Sequence, residues 1–133
     1  MKAVIVGYGR AGKRHEAILR KMGIETCTVD TFVPNVNYHS FNDALAKEQF
    51  DIAVIATPPG FHLEQIAQAL DYGLSVMCEK PLCDIGQIHI AGRLLSHPQV
   101  HKVAIAYNYR YHNMLLKTLD EENERVGDIW RMY

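Results

Sequence analysis

Cysteine is scarce in this chain: Cys27, Cys78 and Cys83 are odd in number and form no C-x-x-C pair. That usage argues against a disulfide framework and a thiolate zinc site, and a reducing cytoplasm is the expected compartment. Neither charge is in excess, with 14 basic against 15 acidic side chains. Electrostatics therefore point to no nucleic-acid or membrane-surface partner. No apolar run approaches the roughly 18 residues of a membrane span. The apolar start, Met1 to Gly7, is broken by glycines and by Arg10, Lys13 and Arg14, so it reads as a first buried strand rather than a signal peptide. Internal repeats and low-complexity segments are also absent.

What is present is an ordinary globular composition in 133 residues, enough for one domain with a real core. Short apolar runs alternate with segments of helical period. Val4-Ile5-Val6 comes first. Ala11, His15, Ile18, Leu19 and Met22 then fall on one helical face, and Gly23 stands where a helix commonly ends. A strand over 25–29 follows, closed by Asp30, and a polar loop over 31–38 leads to a short edge strand over 38–41. The next helix runs over 42–48 with Asn42 as its cap. Ile52 to Ala56 is uninterrupted and apolar, as in a strand buried on both faces. Leu63, Ile66, Ala67 and Leu70 mark a further helix that stops at Gly73. A strand over 74–78, a helix over 85–95 and a strand over 103–106 complete the series. Such alternation predicts a doubly wound parallel α/β sheet of Rossmann type, three-layered, with strand order 3-2-1-4-5-6.

The chemistry gathers where these strands end. Gly7-Tyr8-Gly9-Arg10-Ala11-Gly12 is G-x-G-x-x-G between the first strand and the first helix, with Asp30 at the end of the second strand. In that setting Gly7 permits the tight turn, Gly9 lets a pyrophosphate approach the backbone, and Gly12 lets the helix press onto the strand. Tyr8, Arg10 and Ala11 lie in the same turn, where a helix N-terminus offers N–H groups to phosphate. Asp30 is placed to accept from ribose hydroxyls, and its charge opposes a 2′-phosphate. No arginine follows it directly, so NAD is expected over NADP.

Thr57-Pro58-Pro59 ends the fourth strand beside the crevice where the strand order reverses, placing Thr57 against the dinucleotide. His62 either contacts cofactor or caps and packs locally. Glu79-Lys80-Pro81 ends the fifth strand at the same face. Lys80 there can hydrogen-bond a substrate hydroxyl and stabilise the alkoxide that forms as hydride leaves, and burial would lower its pKa. Tyr107 to His112, with Asn108, suits either a hydroxylated ligand or an interdomain seam. His39, His89, His97 and His101 show no metal-ligand spacing, and Cys78 reads as core. No metal is expected.

Gly7-x-Gly9-x-x-Gly12-x-x-His15, Thr57-Pro58-Pro59 with His62, Glu79-Lys80-Pro81-Leu82 and Asn108-Tyr109-Arg110-Tyr111 together resemble the Gfo/Idh/MocA oxidoreductases. The resemblance covers nearly the whole chain, and Glu-Lys-Pro is its most specific element. Asn113 departs from it, standing where a proline often follows the Tyr-Arg-Tyr element. The resemblance implies hydride transfer between a nicotinamide and a sugar, cyclitol or polyol hydroxyl or ketone. It implies that Lys80 lies at the reacting carbon, that Glu79 lines the nicotinamide pocket, and that Lys80-Pro81 is cis. It also implies a second α/β domain carrying the catalytic base, most substrate contacts and a surface for homo-oligomerisation. Residues 1–122 are accordingly expected to form the dinucleotide-binding domain. After a helix over 113–124, a strand over 129–133 is expected to open the substrate domain. A stand-alone NAD-binding module without turnover is the alternative reading.

Overall fold

The computed structural model describes residues 1–108. Its strands are β1 (Lys2–Val6), β2 (Glu25–Val29), β3 (Ile52–Ile55), β4 (Ser75–Cys78) and β5 (Val103–Ile105). The α-helices are α1 (Arg10–Lys21), α2 (Phe41–Lys47), α3 (His62–Asp71) and α4 (Ile88–Leu95). All strand pairs are parallel, in the order β2-β1-β3-β4-β5. The chain leaves β1 for β2 on one side and then returns to β3 on the other. The order therefore reverses between β1 and β3, and a crevice opens beyond their carboxyl ends.

Burial follows from the unbroken apolar runs. Ala3, Val4 and Ile5 of β1, and Ala53 and Ile55 of β3, expose nothing to solvent. Since successive residues face opposite sides of a sheet, both faces must be covered. Val4 and Val6 join a core with Phe41 and Ala44 of α2 and with Leu63, Ile66 and Leu70 of α3. Ile5 points the other way, toward Gly12 of α1. Gly23 and Gly73, at positive φ of 75° and 80°, end α1 and α3 where a Cβ would be strained.

The expected edge strand over 38–41 shrinks to a single parallel bridge between Val29 and Tyr38. Asn37 is the reason: its side-chain Oδ1 accepts from Thr28 N at 2.9 Å, taking a position that a neighbouring strand's carbonyl would fill. The backbone then turns directly into α2. That helix starts one residue earlier than expected, and Ser40, not Asn42, caps it by accepting from Asp43 N at 3.4 Å. Asn42 lies within the first turn instead and pairs with Gln68 of α3. The segment over 85–95 divides into a 3₁₀ turn, Ile85–Gln87, and α4. The helix and strand expected over 113–124 and 129–133, and the boundary after 122, lie outside the described residues. Among those described, no helix is long and apolar enough to cross a membrane.

Candidate dinucleotide cleft

The turn after β1 is built by two glycines that the chain itself requires and one that it does not. Gly7 sits at φ 93°, and a Cβ there would lie 2.7 Å from the backbone of Ala56 and Thr57 at the end of β3. A Cβ on Gly12 would overlap the Gly7 carbonyl, so α1 presses directly on the turn. Gly9 caps α1, and a Cβ there meets nothing within 4 Å. Its bareness leaves open space over the helix N-terminus rather than solving a packing problem. Within α1 the first backbone bond runs from Lys13 N to Gly9 O at 3.1 Å, which leaves the N–H groups of Arg10, Ala11 and Gly12 without helical partners. No acidic residue occupies the first turn and no side chain caps it. Such an end suits an anion.

Asp30 is held by three backbone amides. Oδ2 accepts from Tyr8 N at 2.8 Å, and Oδ1 accepts from Phe32 N at 2.9 Å and Val33 N at 3.0 Å. Burial pushes the carboxyl up, but these three amides outweigh it and hold the pKa below the ordinary value. The carboxylate thus pins the glycine turn to the loop after β2. Of its roughly four lone-pair sites, three are taken, which leaves one on Oδ2 for a ligand hydroxyl. Tyr8 turns its own hydroxyl away from this point, to Glu16.

At the end of β3, Thr57 Oγ1 donates to Gln65 Oε1 at 2.6 Å. Pro58 and Pro59 carry the chain into α3. His62, the first residue of that helix, is 0% exposed. Its Nε2 lies 2.7 Å from the Thr57 carbonyl and its Nδ1 2.9 Å from the Pro81 carbonyl. His62 therefore packs behind the loop, with both ring nitrogens against backbone carbonyls.

Glu79 and Lys80 follow β4. Glu79 is turned back toward α1: His15 Nε2 donates to its Oε1 at 2.8 Å, and Arg14 Nη2 lies 3.3 Å from the same oxygen. Burial raises the Glu79 pKa, but the His15 bond and charge, the Lys80 N–H and the Arg14 guanidinium together bring it below the usual carboxylate value. Lys80-Pro81 is cis. Lys80 is exposed, so the burial expected around it is not supplied by residues 1–108. Asn108, whose N–H donates to Ala106 O at 3.1 Å, is exposed as well.

One cleft of about 570 Å³ joins the parts. Gly7, Gly9, Asp30, Thr57 and Pro58, all expected from the sequence, line it together with Val6, Val29, Thr31, Phe32, Val33, His39, Phe41, Ala56, Phe61 and Gln65. Tyr8, Arg10, Ala11 and Gly12 stand in the turn that forms its wall, while Pro59, His62, Glu79, Lys80 and Asn108 fall outside the lining. Phe32, His39, Phe61 and Gln65 are among the contributors that sequence reading missed. Phe32 is 91% exposed beside Asp30. Phe61 and Gln65 are four residues apart, the spacing of one helical face, and that period was the available signal.

A parallel sheet with a glycine turn, an anchored acid and a cleft at its switch point defines a dinucleotide-binding Rossmann domain. Residues 23–109 match the sequence model of the Gfo/Idh/MocA proteins, described as an oxidoreductase family with an NAD-binding Rossmann fold. The chain belongs to that family. Among solved structures it is similar to myo-inositol 2-dehydrogenase from Lactobacillus plantarum, at TM-score 0.77 and 26% identity over 92% of this chain. It is also similar to scyllo-inositol dehydrogenase from Lactobacillus casei with bound NAD(H) and scyllo-inositol, at TM-score 0.75 and 25% identity over 93% of this chain. Each alignment spans 42% of the longer protein. In sequence, the NADP-dependent D-xylose 1-dehydrogenase of Haloarcula marismortui is 29% identical over 77 residues, 58% of this chain and 21% of that one. The chain thus spans less than half the length of these relatives.

Proposed function

We propose that this chain is the cofactor-binding part of an NAD-dependent dehydrogenase acting on a sugar, cyclitol or polyol. The carrying observation is the cleft, in which bare Gly9, the uncapped start of α1 and the anchored Asp30 carboxylate follow one another along a single wall. The residues fit a dinucleotide: the α1 N-terminus takes the pyrophosphate, Asp30 the adenosine ribose, and Thr57 and Pro58 the far half. When bound, the nicotinamide supplies the hydride acceptor or donor. Tyr8, Gly9, Arg10, Ala11 and Gly12 hold the phosphates, and Lys80 stabilises the substrate oxygen from which the proton leaves or to which it returns.

NAD is preferred over NADP because Asp30 is held ionised where a 2′-phosphate would sit, and like charges repel there. NADP-dependent relatives exist, so the preference rests on this residue. Calorimetry with the two dinucleotides tests it. NAD is expected to bind at least about tenfold more tightly, and equal or reversed affinities would remove the role of Asp30.

A second reading, binding without turnover, is favoured by one observation: among the described residues no side chain bonds or pairs with the exposed Lys80 ammonium to form an acid–base couple. A polyol panel separates the two, assayed with this chain and with any longer gene product. Where turnover is found, Lys80→Ala is expected to lower kcat by about 100-fold or more while NAD affinity changes little. Undiminished turnover in that variant would dismiss the lysine.

A further inference from the structure

His62 lies outside the cleft lining, yet it is among the largest fully buried side chains. Its two ring nitrogens both face backbone carbonyls, Thr57 O at 2.7 Å and Pro81 O at 2.9 Å. Carbonyl oxygens only accept, so it is a ring N–H of His62 that donates along this seam. One carbonyl belongs to the loop after β3, which lines the cleft through Thr57 and Pro58. The other belongs to the loop after β4, one residue beyond Lys80. The one backbone hydrogen bond across this seam among the described residues lies at its root, from Glu79 N to Ile55 O at 2.8 Å, and beyond it side chains make the link. A second side chain works the same seam: Gln87 Nε2 donates to Gly60 O at 2.9 Å.

We infer that His62 is a positioning residue, which straps the loop after β3 to the loop after β4 and so fixes the Thr57–Pro58 wall on the nicotinamide side of the cleft. This rests on the reading of the cleft given above. The Asp30 carboxylate is held by the amides of Tyr8, Phe32 and Val33, and among the described residues no hydrogen bond joins it or the start of α1 to His62. The strap is therefore expected to act more on the nicotinamide half of the ligand than on the adenosine half. A merely structural histidine would weaken both halves alike.

The test compares two probes, NAD and ADP-ribose, the second lacking the nicotinamide ring. Calorimetry on the full chain is run for the wild type, His62→Leu and Gln87→Leu, with folding checked by circular dichroism. In His62→Leu the dissociation constant for NAD is expected to rise about tenfold while that for ADP-ribose moves less than about twofold. Gln87→Leu is expected to shift NAD in the same direction by less. A folded His62→Leu that loses both ligands equally, or neither, overturns the inference. If removing the imidazole unfolds the chain, Gln87→Leu decides: a selective loss of NAD supports the strap, and parallel or absent losses overturn it. A wild type that binds ADP-ribose but gains nothing from the nicotinamide refutes the strap and leaves the cleft standing. A wild type that binds neither probe removes the proposed function itself.

Discussion

At the scale of single residues, Asp30 does two tasks that pull on the same carboxylate. Its three backbone amides join the glycine turn to the loop after β2, and its last acceptor position faces the cleft. Removing it has a structural cost as well as a binding cost. Asp30→Ala is expected to lower NAD affinity and also to destabilise the fold by about 1–3 kcal/mol, since charge-assisted bonds to three N–H groups are lost together. Denaturant melts beside calorimetry separate the two effects, and an unchanged melt would show that water satisfies those amides fully. The position of Asp30 at a strand end was legible in the sequence. Its triple amide contact was not, because Tyr8 comes to it across the sheet from the turn after β1. Phe32 is similar: its place next to Asp30 is plain in the chain, but its 91% exposure at the cleft mouth depends on how the loop folds back.

At the scale of elements, the glycine turn divides its residues by what each one must avoid. Gly12→Ala would drive a methyl group into the Gly7 carbonyl, which is backbone and cannot yield, and against the Ile5 side chain. A loss of stability of about 1–3 kcal/mol or more is expected, read from thermal or denaturant melts. Gly9→Ala meets only open space. It should cost about 0.5–1 kcal/mol as an N-cap change, and lower NAD affinity because its methyl group stands over the phosphate position. Gly9→Ala that leaves affinity intact would mean that the pyrophosphate does not cross this turn. The turn was readable because steric demands on glycine leave a local sequence trace. The start of α2 was less so: Ser40 and Asn42 are both competent caps, and the choice follows from Asn37 replacing strand pairing with its own side chain. Parallel strands and their helices were visible as period and apolar run, whereas the place of His62 between two loops needs contacts distant in sequence.

At the scale of the whole molecule, the acidic limb of stability is written in three carboxylates that each tie separate elements together. Asp30 joins the two turns. Glu79 joins the end of β4 to α1 through His15 and Arg14. Glu48, after α2, accepts from Lys2 of β1 at 2.6 Å and from the Tyr38 hydroxyl at 2.7 Å. All three pKa values lie below their ordinary positions: amides overcome burial at Asp30, His15 and its neighbours overcome burial at Glu79, and the Lys2 bond leads at Glu48. A carboxyl whose folded pKa is depressed binds its proton more readily in the unfolded chain. Its stabilisation is therefore present above the unfolded value, near pH 4, and is lost as pH falls through the lower folded value. Melting temperature is accordingly expected to be insensitive to these groups between about pH 5 and 8, and to drop steeply below about pH 4. Glu79→Gln should flatten that drop by the share of one titrating group while lowering stability at neutral pH, because the His15 and Arg14 partners then face an uncharged amide. Parallel acid limbs in the wild type and Glu79→Gln would show that the tie between β4 and α1 carries no pH-dependent stability, and that Glu79 holds its neighbours by shape alone.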